Sequence, residues 1–263
     1  KTALINSPFV MDLNDNFLTS PDLDFDGEID IDEALQIGTI MVENGNITDL
    51  SGMEAFTNLK SFSCADNQII TIAPLSNLVS LQQLFIQNNQ VTSVDLSGGF
   101  SLLTDFTFSG NTVNYLNLAG CSSLTYINTL DLDNINYFNI QGCSSIPSIS
   151  ITTSALSFFD FTGCTGLNNL TVWNSQLNAL DFSNLNCQFI SLQDNNLVTS
   201  MTFNNNPNLS NLNVFGSPIT TLDVSSLTAL NSFWCANHPL LETIFAKNGA
   251  NESFTLGNNP NLS

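Results

Sequence analysis

The chain repeats itself, and the period limits what it can fold into. Three segments align without gaps at intervals of 22 residues: LKSFSCADNQI from Leu59, LQQLFIQNNQV from Leu81 and LTDFTFSGNTV from Leu103. Each reads L-x-x-Φ-x-Φ-x-x-N-x-Φ, where Φ is apolar. The register continues through TYINTL, IPSISITTSAL, LNNLTVWNSQL, FISLQDNNL, LSNLNVFGSPI and LNSFWCANHPL in steps of 20 to 22. The first Φ column holds Phe62, Leu84, Phe106, Ile127, Ile149, Leu170, Ile190, Leu212 and Phe233. The second holds Cys64, Ile86, Phe108, Thr129, Ile151, Val172, Leu192, Val214 and Cys235, with Thr129 the only departure. A period in this range marks a stack of small supersecondary units, none of which can bury its apolar face alone.

A Φ-x-Φ core predicts one short strand per repeat, with alternate side chains inside and outside. A second Φ-x-Φ follows about ten residues later: Val94/Leu96, Leu116/Leu118, Phe138/Ile140, Phe159/Phe161, Leu180/Phe182, Met201/Phe203 and Leu222/Val224. Each coil therefore carries strands on two sides. No repeat has room for a helix of ordinary length. The expected class is a mostly β solenoid whose neighbouring coils stack about 4.8 Å apart.

L-x-x-L-x-L-x-x-N-x-L is the leucine-rich-repeat signature. Residues 50–263 resemble secreted bacterial leucine-rich-repeat proteins, and residues 46–59 (NITDLSGMEAFTNL) look like their entry into the first coil. The resemblance implies about nine to ten coils. It also implies an internal polar ladder at Asn67, Asn89, Asn111 and Asn195. Ser154, Ser175, Ser217 and His238 replace Asn in that column, so the ladder is expected to be mixed and His238 to be structural. The closing GNNPNLS resembles the middle of a repeat, NNNPNLS at 204–210, which suggests a further C-terminal segment.

Charge separates the beginning of the chain from the rest. Of 23 Asp and Glu, twelve fall in residues 1–54, against 3 Lys and no Arg in all 263 residues. The formal net charge is −20. So few cations exclude nucleic acid, whose phosphates need neutralising. They also disfavour anionic membrane surfaces, and no apolar run is long enough for a spanning helix. Residues 1–50 read as a separate N-terminal cap, and 51–263 as the solenoid. Lys1-Thr2-Ala3-Leu4 carries no leader-like apolar run, which suggests a processed or engineered start. A strongly acidic chain suits a salty medium, so a secreted or cell-surface location is expected.

Residues 22–33 read DLDFDGEIDIDE and match D-x-[DN]-x-[DN]-G-x5-E throughout. Asp22, Asp24 and Asp26 take positions 1, 3 and 5 of a calcium loop. Gly27 allows the sharp turn. Glu28 offers its backbone carbonyl, Asp30 a direct or water-mediated oxygen, and Glu33 two oxygens. Ser20-Pro21 argues against an incoming helix, whereas a helix after Asp30 is expected. The unit thus resembles the loop-plus-helix of EF-hand and dockerin-type motifs, and Ca2+ is the implied cofactor. Covering the open end of the first coil is its expected task. Asp12, Asn14 and Asn16 share the 1-3-5 spacing and form a weaker second candidate.

Six cysteines, at 64, 121, 143, 164, 187 and 235, occupy positions that suit small buried residues. Cys121, Cys143 and Cys164 recur in one column after the second strand, where Gly99 and Leu185 are also expected. Free thiols are therefore expected. The outward positions of the first strands are nearly uncharged and carry both tryptophans. Trp173, Phe189, Asn213, Phe215 and Trp234 are the candidate ligand-binding residues, since exposed large aromatics mark contact surfaces. The outward column of the second strands, Asp95, Asn117, Asn139, Asp160, Asp181, Thr202 and Asp223, reads as a solvated face. No acid, base and nucleophile converge, and no carboxylate pair suits glycoside hydrolysis, so no enzyme is expected. The leading expectation is a module that binds polysaccharide. Protein recognition or adhesion, which the resemblance most often implies, is one alternative, and a structural spacer is another.

Overall fold

A computed structural model describes every residue except 1, 6, 8, 128–131, 133, 154 and 250–252. The expectations placed on Thr129 and Ser154 lie outside the described residues. Contacts divide the chain into two compact units, residues 1–131 and 132–263. Each is a leucine-rich-repeat solenoid built almost entirely of short strands.

The first unit contains β1 (Phe9–Asp12), β2 (Phe17–Leu18), β3 (Ile37–Met41), β4 (Ser61–Ser63), β5 (Gln83–Phe85), β6 (Ser93–Asp95), β7 (Asp105–Thr107), β8 (Tyr115–Asn117) and β9 (Tyr126–Ile127). One sheet runs β2-β1-β3-β4-β5-β7-β9. From β3 onward it is parallel, with Ile40, Phe62, Leu84, Phe106 and Ile127 in one cross-strand row. β1 lies antiparallel to β3, and β2 antiparallel to β1. This two-stranded flap covers the edge that the first parallel strand would otherwise expose. Coil stacking starts at β3, inside the segment read from sequence as cap. The helix expected after Asp30 is a single turn, Ile31–Ala34. On the opposite side of the coils β6 pairs with β8.

The second unit contains β10 (Tyr137–Asn139), β11 (Ser148–Thr152), β12 (Phe158–Asp160), β13 (Asn169–Trp173), β14 (Ala179–Asp181), β15 (Phe189–Gln193), β16 (Ser200–Thr202), β17 (Asn211–Phe215), β18 (Thr221–Asp223), β19 (Ser232–Ala236), β20 (Thr243–Phe245) and β21 (Ser253–Gly257). The six five-residue strands β11-β13-β15-β17-β19-β21 form a parallel sheet without a register shift. Across the core, β10 pairs with β12, β14 with β16 and β18 with β20. Among the described residues, no backbone hydrogen bond joins β12 to β14.

Burial follows the apolar columns. Phe62, Leu84, Phe106, Leu170, Ile190, Leu212 and Phe233 are fully buried, as are Cys64, Ile86, Val172, Leu192, Val214 and Cys235. Most described coils turn after the first strand through a left-handed residue, which L side chains other than Asn and Asp rarely adopt. Asp66, Asn88 and Gly110 fill this place in successive coils. At Gly110 a Cβ would also crowd the Asn88 side chain and come 3.2 Å from its Cα.

The polar ladder forms as expected. Asn89 Nδ2 donates to the carbonyls of Cys64, one coil back, and of Ile86 and Gln87, while its Oδ1 accepts from Ile69 N–H. Asn67 and Asn111 repeat the pattern. In the second unit, Asn195 reaches Val172 O, and His238 Nε2 lies 3.0 Å from Val214 O. Ser175 and Ser217 are too short to span a coil. Asn195 Oδ1 accepts the Ser175 N–H, and His238 Nδ1 lies 2.9 Å from Ser217 O and 3.2 Å from Ser217 N. His238 is fully buried and belongs to the ladder.

Two details differ from the sequence reading. Ser101 N–H bonds Gly99 O as Ser122 N–H bonds Gly120 O, so Phe100, not Gly99, stands level with Cys121. One extra residue in that turn shifted the alignment. The thiols are also more than apolar fillers. Cys164 Sγ lies 3.0 Å from Ile140 O, 24 residues back, and Asn206 Nδ2 donates to Phe182 O with the same separation. A thiol there performs a weak version of the Asn function.

Candidate functional site

The calcium-type loop folds around its own carboxylates. Asp22 is buried, and its Oδ2 accepts the N–H of Gly27 at 3.0 Å. Asp24 Oδ1 accepts from Asp26 N–H, and Asp26 Oδ1 from Glu28 N–H. These turns need positive φ at Phe25 (62°) and Gly27 (89°). Asp30 caps the helical turn. Its Oδ1 accepts Glu33 N–H at 2.8 Å and Glu33 Oε2 accepts Asp30 N–H at 2.8 Å, a reciprocal capping box. Glu33 Oε1 takes the N–H of Leu23, which pulls this buried carboxylate back over the start of the loop.

Carboxylate oxygens of Asp22, Asp24 and Glu33 consequently lie within 4.8 Å of one another. Asp26, Glu28 and Asp30 flank this group without joining it. Asp22 Oδ1 is buried without a hydrogen-bond partner. A buried oxygen of this kind is costly unless something binds it. Hard oxygen donors of this number and charge suit a divalent cation that takes six to eight oxygens, so the residues present fit Ca2+.

The second candidate set has another use for its oxygens. Asp12 Oδ1 accepts from the N–H groups of Asn14 and Asn16, and Oδ2 accepts Asn16 Nδ2 at 2.8 Å. These bonds hold the Asp12 carboxyl below its ordinary pKa, the Asn16 side chain contributing most. They close the hairpin between β1 and β2.

The aromatic candidates all lie on the outward side of one sheet in the second unit. Cross-strand register sets out three columns: Asn169-Phe189-Asn211-Ser232, Thr171-Ser191-Asn213-Trp234 and Trp173-Gln193-Phe215-Ala236. Trp173 and Trp234 thus share a face but not a column. Trp234 is 49% exposed and meets Phe215 edge to face, with centroids 4.9 Å apart at 75°. Asn213 lies directly beside Trp234. Trp173, read from sequence as an open ring, is half-buried, and its Nε1 donates to Ser191 Oγ at 3.2 Å. Phe189 is half-buried as well. The two tryptophans therefore differ in availability, a difference that strand periodicity alone does not carry.

One residue placed in the core by sequence lies partly outside it. Phe159 is half-buried, on the edge strand β12. The run Phe158-Phe159-Asp160-Phe161 is a signal: three large rings in four positions exceed what one short strand can bury.

All six cysteines are free and buried. Burial pushes the thiols of Cys64, Cys121, Cys164, Cys187 and Cys235 up to about 12.

Residues 57–98 match a family model described as leucine-rich repeats, in two copies. The sequence matches none of the curated proteins with which it was compared. Similar solved structures include the functional domain of InlJ from Listeria monocytogenes, described as including a cysteine ladder. Identity is 22% over 83% of this chain and 55% of that one, with a TM-score of 0.47. The internalin inlF of the same species is 19% identical over 92% of this chain and 85% of its own, with a TM-score of 0.38. The Leptospira interrogans leucine-rich-repeat protein LIC12759 is 12% identical over 86% of this chain and 87% of its own, with a TM-score of 0.27. This chain spans about half the length of the InlJ domain. The assignment of the fold rests on strand register and the ladder.

Proposed function

We propose that the chain is an extracellular protein-recognition module whose contact surface is the outward face of the β11–β21 sheet. The observation that carries the reading is the Phe215–Trp234 pair, standing on a flat, nearly uncharged field of Asn, Ser, Thr and Gln. Large aromatics surrounded by such residues form the centres of protein interfaces. A polysaccharide needs ring faces that lie flat against successive sugars. Here Phe215 and Trp234 meet at 75°, and the Trp173 indole is held to the sheet by Ser191. That geometry favours a protein partner over the polysaccharide expected from sequence. Recognition on this surface uses shape and hydrogen bonds and requires no catalytic group.

The same reading assigns Ca2+ to Asp22, Asp24, Asp26, Asp30, Glu33 and the Glu28 carbonyl. The ion would supply charge neutralisation, locking the loop against the Ile31–Ala34 turn. A rigid loop steadies the β1–β2 flap over the first coil. The thiols suit an oxidising exterior, because a thiol with pKa near 12 has little reactive thiolate. No described helix is long and apolar enough to cross a membrane.

Selection of binders from a displayed library of extracellular protein domains, run beside a glycan array, tests the reading. Protein ligands that bind wild type and weaken at least tenfold with Trp234→Ala support it. Array hits abolished by Trp234→Ala, with no protein ligand found, would return the polysaccharide reading to first place.

A further inference from the structure

Beyond the face just described, we infer that the opposite side of the 132–263 unit holds a receptor site for one cationic side chain, Lys or Arg, of a protein partner. The site is one of two places where the second-side sheet breaks. β10 pairs with β12, β14 with β16 and β18 with β20, but among the described residues nothing ladders β12 to β14 or β16 to β18, although β11 and β13 remain fully paired. One ring pair crosses the gap: Phe161 stacks on Phe182 at 5.5 Å. The neighbouring stacks, Phe138 on Phe159 at 5.3 Å and Phe182 on Phe203 at 5.1 Å, are closer and accompany paired strands.

The opening is a cavity of about 270 Å³ lined by Phe159, Phe161, Thr162, Leu180, Asp181 and Thr202, among others. That volume lies just below the range of about 300–1,000 Å³ for small-molecule pockets, and it suits a single long side chain. Its floor is the half-buried Phe159 ring with Phe161 beneath, 4.8 Å away. Its rim carries the exposed carboxylate of Asp181, whose Oδ1 accepts Ser183 N–H. No Lys or Arg lines the groove.

Strand alternation aims the backbone groups of Phe159 and Asp181 across the gap, because Asp160 O and Phe182 N–H are used on the other edges of their strands. The groove therefore offers a π face, a carboxylate and backbone carbonyls turned toward the gap, and its rim lacks a compensating cation. A guanidinium or ammonium can engage all three, with its alkyl stem against the rings. The chain's net charge of −20 adds long-range attraction for a cationic partner. The larger cavity beside Asp95 lacks the floor, since its Phe100 is fully buried.

The experiment is an NMR titration of the full chain with N-acetyl-arginine N-methylamide. The neutral citrulline analogue and maltotriose serve as comparisons. Saturable arginine binding is expected, with a dissociation constant of about 1 mM for so small a probe. It should weaken at least fivefold in Asp181→Asn, which keeps the Ser183 hydrogen bond and hence the fold. Phe159→Leu should weaken it similarly while retaining a buried stem. Trp234→Ala should leave it unchanged, which separates this site from the recognition face. Equal binding of arginine and citrulline, preferential binding of maltotriose, or an unaffected Asp181→Asn would each overturn the inference.

Discussion

Removing one rung of the Asn ladder should cost far more than its exposed polar atoms suggest, and removing two adjacent rungs should cost more than their sum. In Asn89→Ala, the N–H of buried Ile69 loses its only partner, Asn89 Oδ1. The carbonyls fare better. Cys64 O keeps Asn67 Nδ2, Ile86 O keeps Asn111 Nδ2 and Gln87 O keeps the N–H of Asp66. The loss is thus one orphaned buried donor, about 1–3 kcal/mol, and roughly two net hydrogen bonds at about 1 kcal/mol each. A total of about 3–5 kcal/mol follows. Asn58→Ala, which removes one exposed bond to Leu35 O, should cost under about 1 kcal/mol. Asn111→Ala alone orphans Val91 N–H in the same way. The double variant also strips Ile86 O of both donors, so an extra loss of about 1–3 kcal/mol is expected beyond additivity. Urea unfolding followed by circular dichroism gives all four values. Strict additivity of Asn89→Ala and Asn111→Ala would refute the shared-carbonyl account of the ladder. A cost for Asn89→Ala no greater than that for Asn58→Ala would refute the ladder's role in stability.

Two other measurements probe the ends of the argument. Ca2+ at one hundred times its dissociation constant should stabilise the chain by about 2.7 kcal/mol relative to excess chelator, a rise of roughly 5–10 °C for a chain of this length. Asp22→Asn should abolish the rise. A melting temperature indifferent to chelator in the wild type would remove the ion from the loop. Alkaline pH should unfold the protein steeply. Each of the five buried thiols has its folded pKa raised from 9.0 to about 12. The unfolded chain therefore loses those protons first, and the stabilisation, complete below pH 9, drains away toward pH 12. Above the unfolded pKa each thiol adds about 1.4 kcal/mol per pH unit to the slope, roughly 7 kcal/mol for five. Cys64→Ala should flatten the slope by one such increment, and a stability constant from pH 9 to 11 would contradict it.

The coils were legible in the sequence because the constraint is written once per turn. Phe62, Leu84 and Phe106 are interchangeable occupants of one buried row, and a residue's place in that row decides its neighbours 22 positions away. The Asn ladder was legible for the same reason. Local insertions were not. One added residue before Phe100 misaligned the turn, since side-chain size alone does not reveal that Phe100 and Cys121 share a position. The antiparallel flap was hidden too. The short runs at Phe9–Asp12 and Phe17–Leu18 have no repeat to announce them.

For the sites, legibility tracks how local the determinant is. The loop at residues 22–33 carries its ligands in fixed spacing, so Asp22, Asp24 and Glu33 could be named together before any coordinates. The outward columns follow from strand period, and Trp173 and Trp234 do share a face. Period says which way a Cβ points, not where a ring comes to rest, and the Trp173 indole rests on Ser191 of the next coil. The groove beside Phe159 is less local still. It depends on how Phe159, Phe161 and Phe182 of successive coils lie against one another at a gap between strands, each acceptable by itself in an apolar column. An apolar pattern records that a position is inside. It does not record whether the strands around it can still reach one another: β12 and β14 stay unpaired with each other although the apolar column runs on through Phe161 and Phe182.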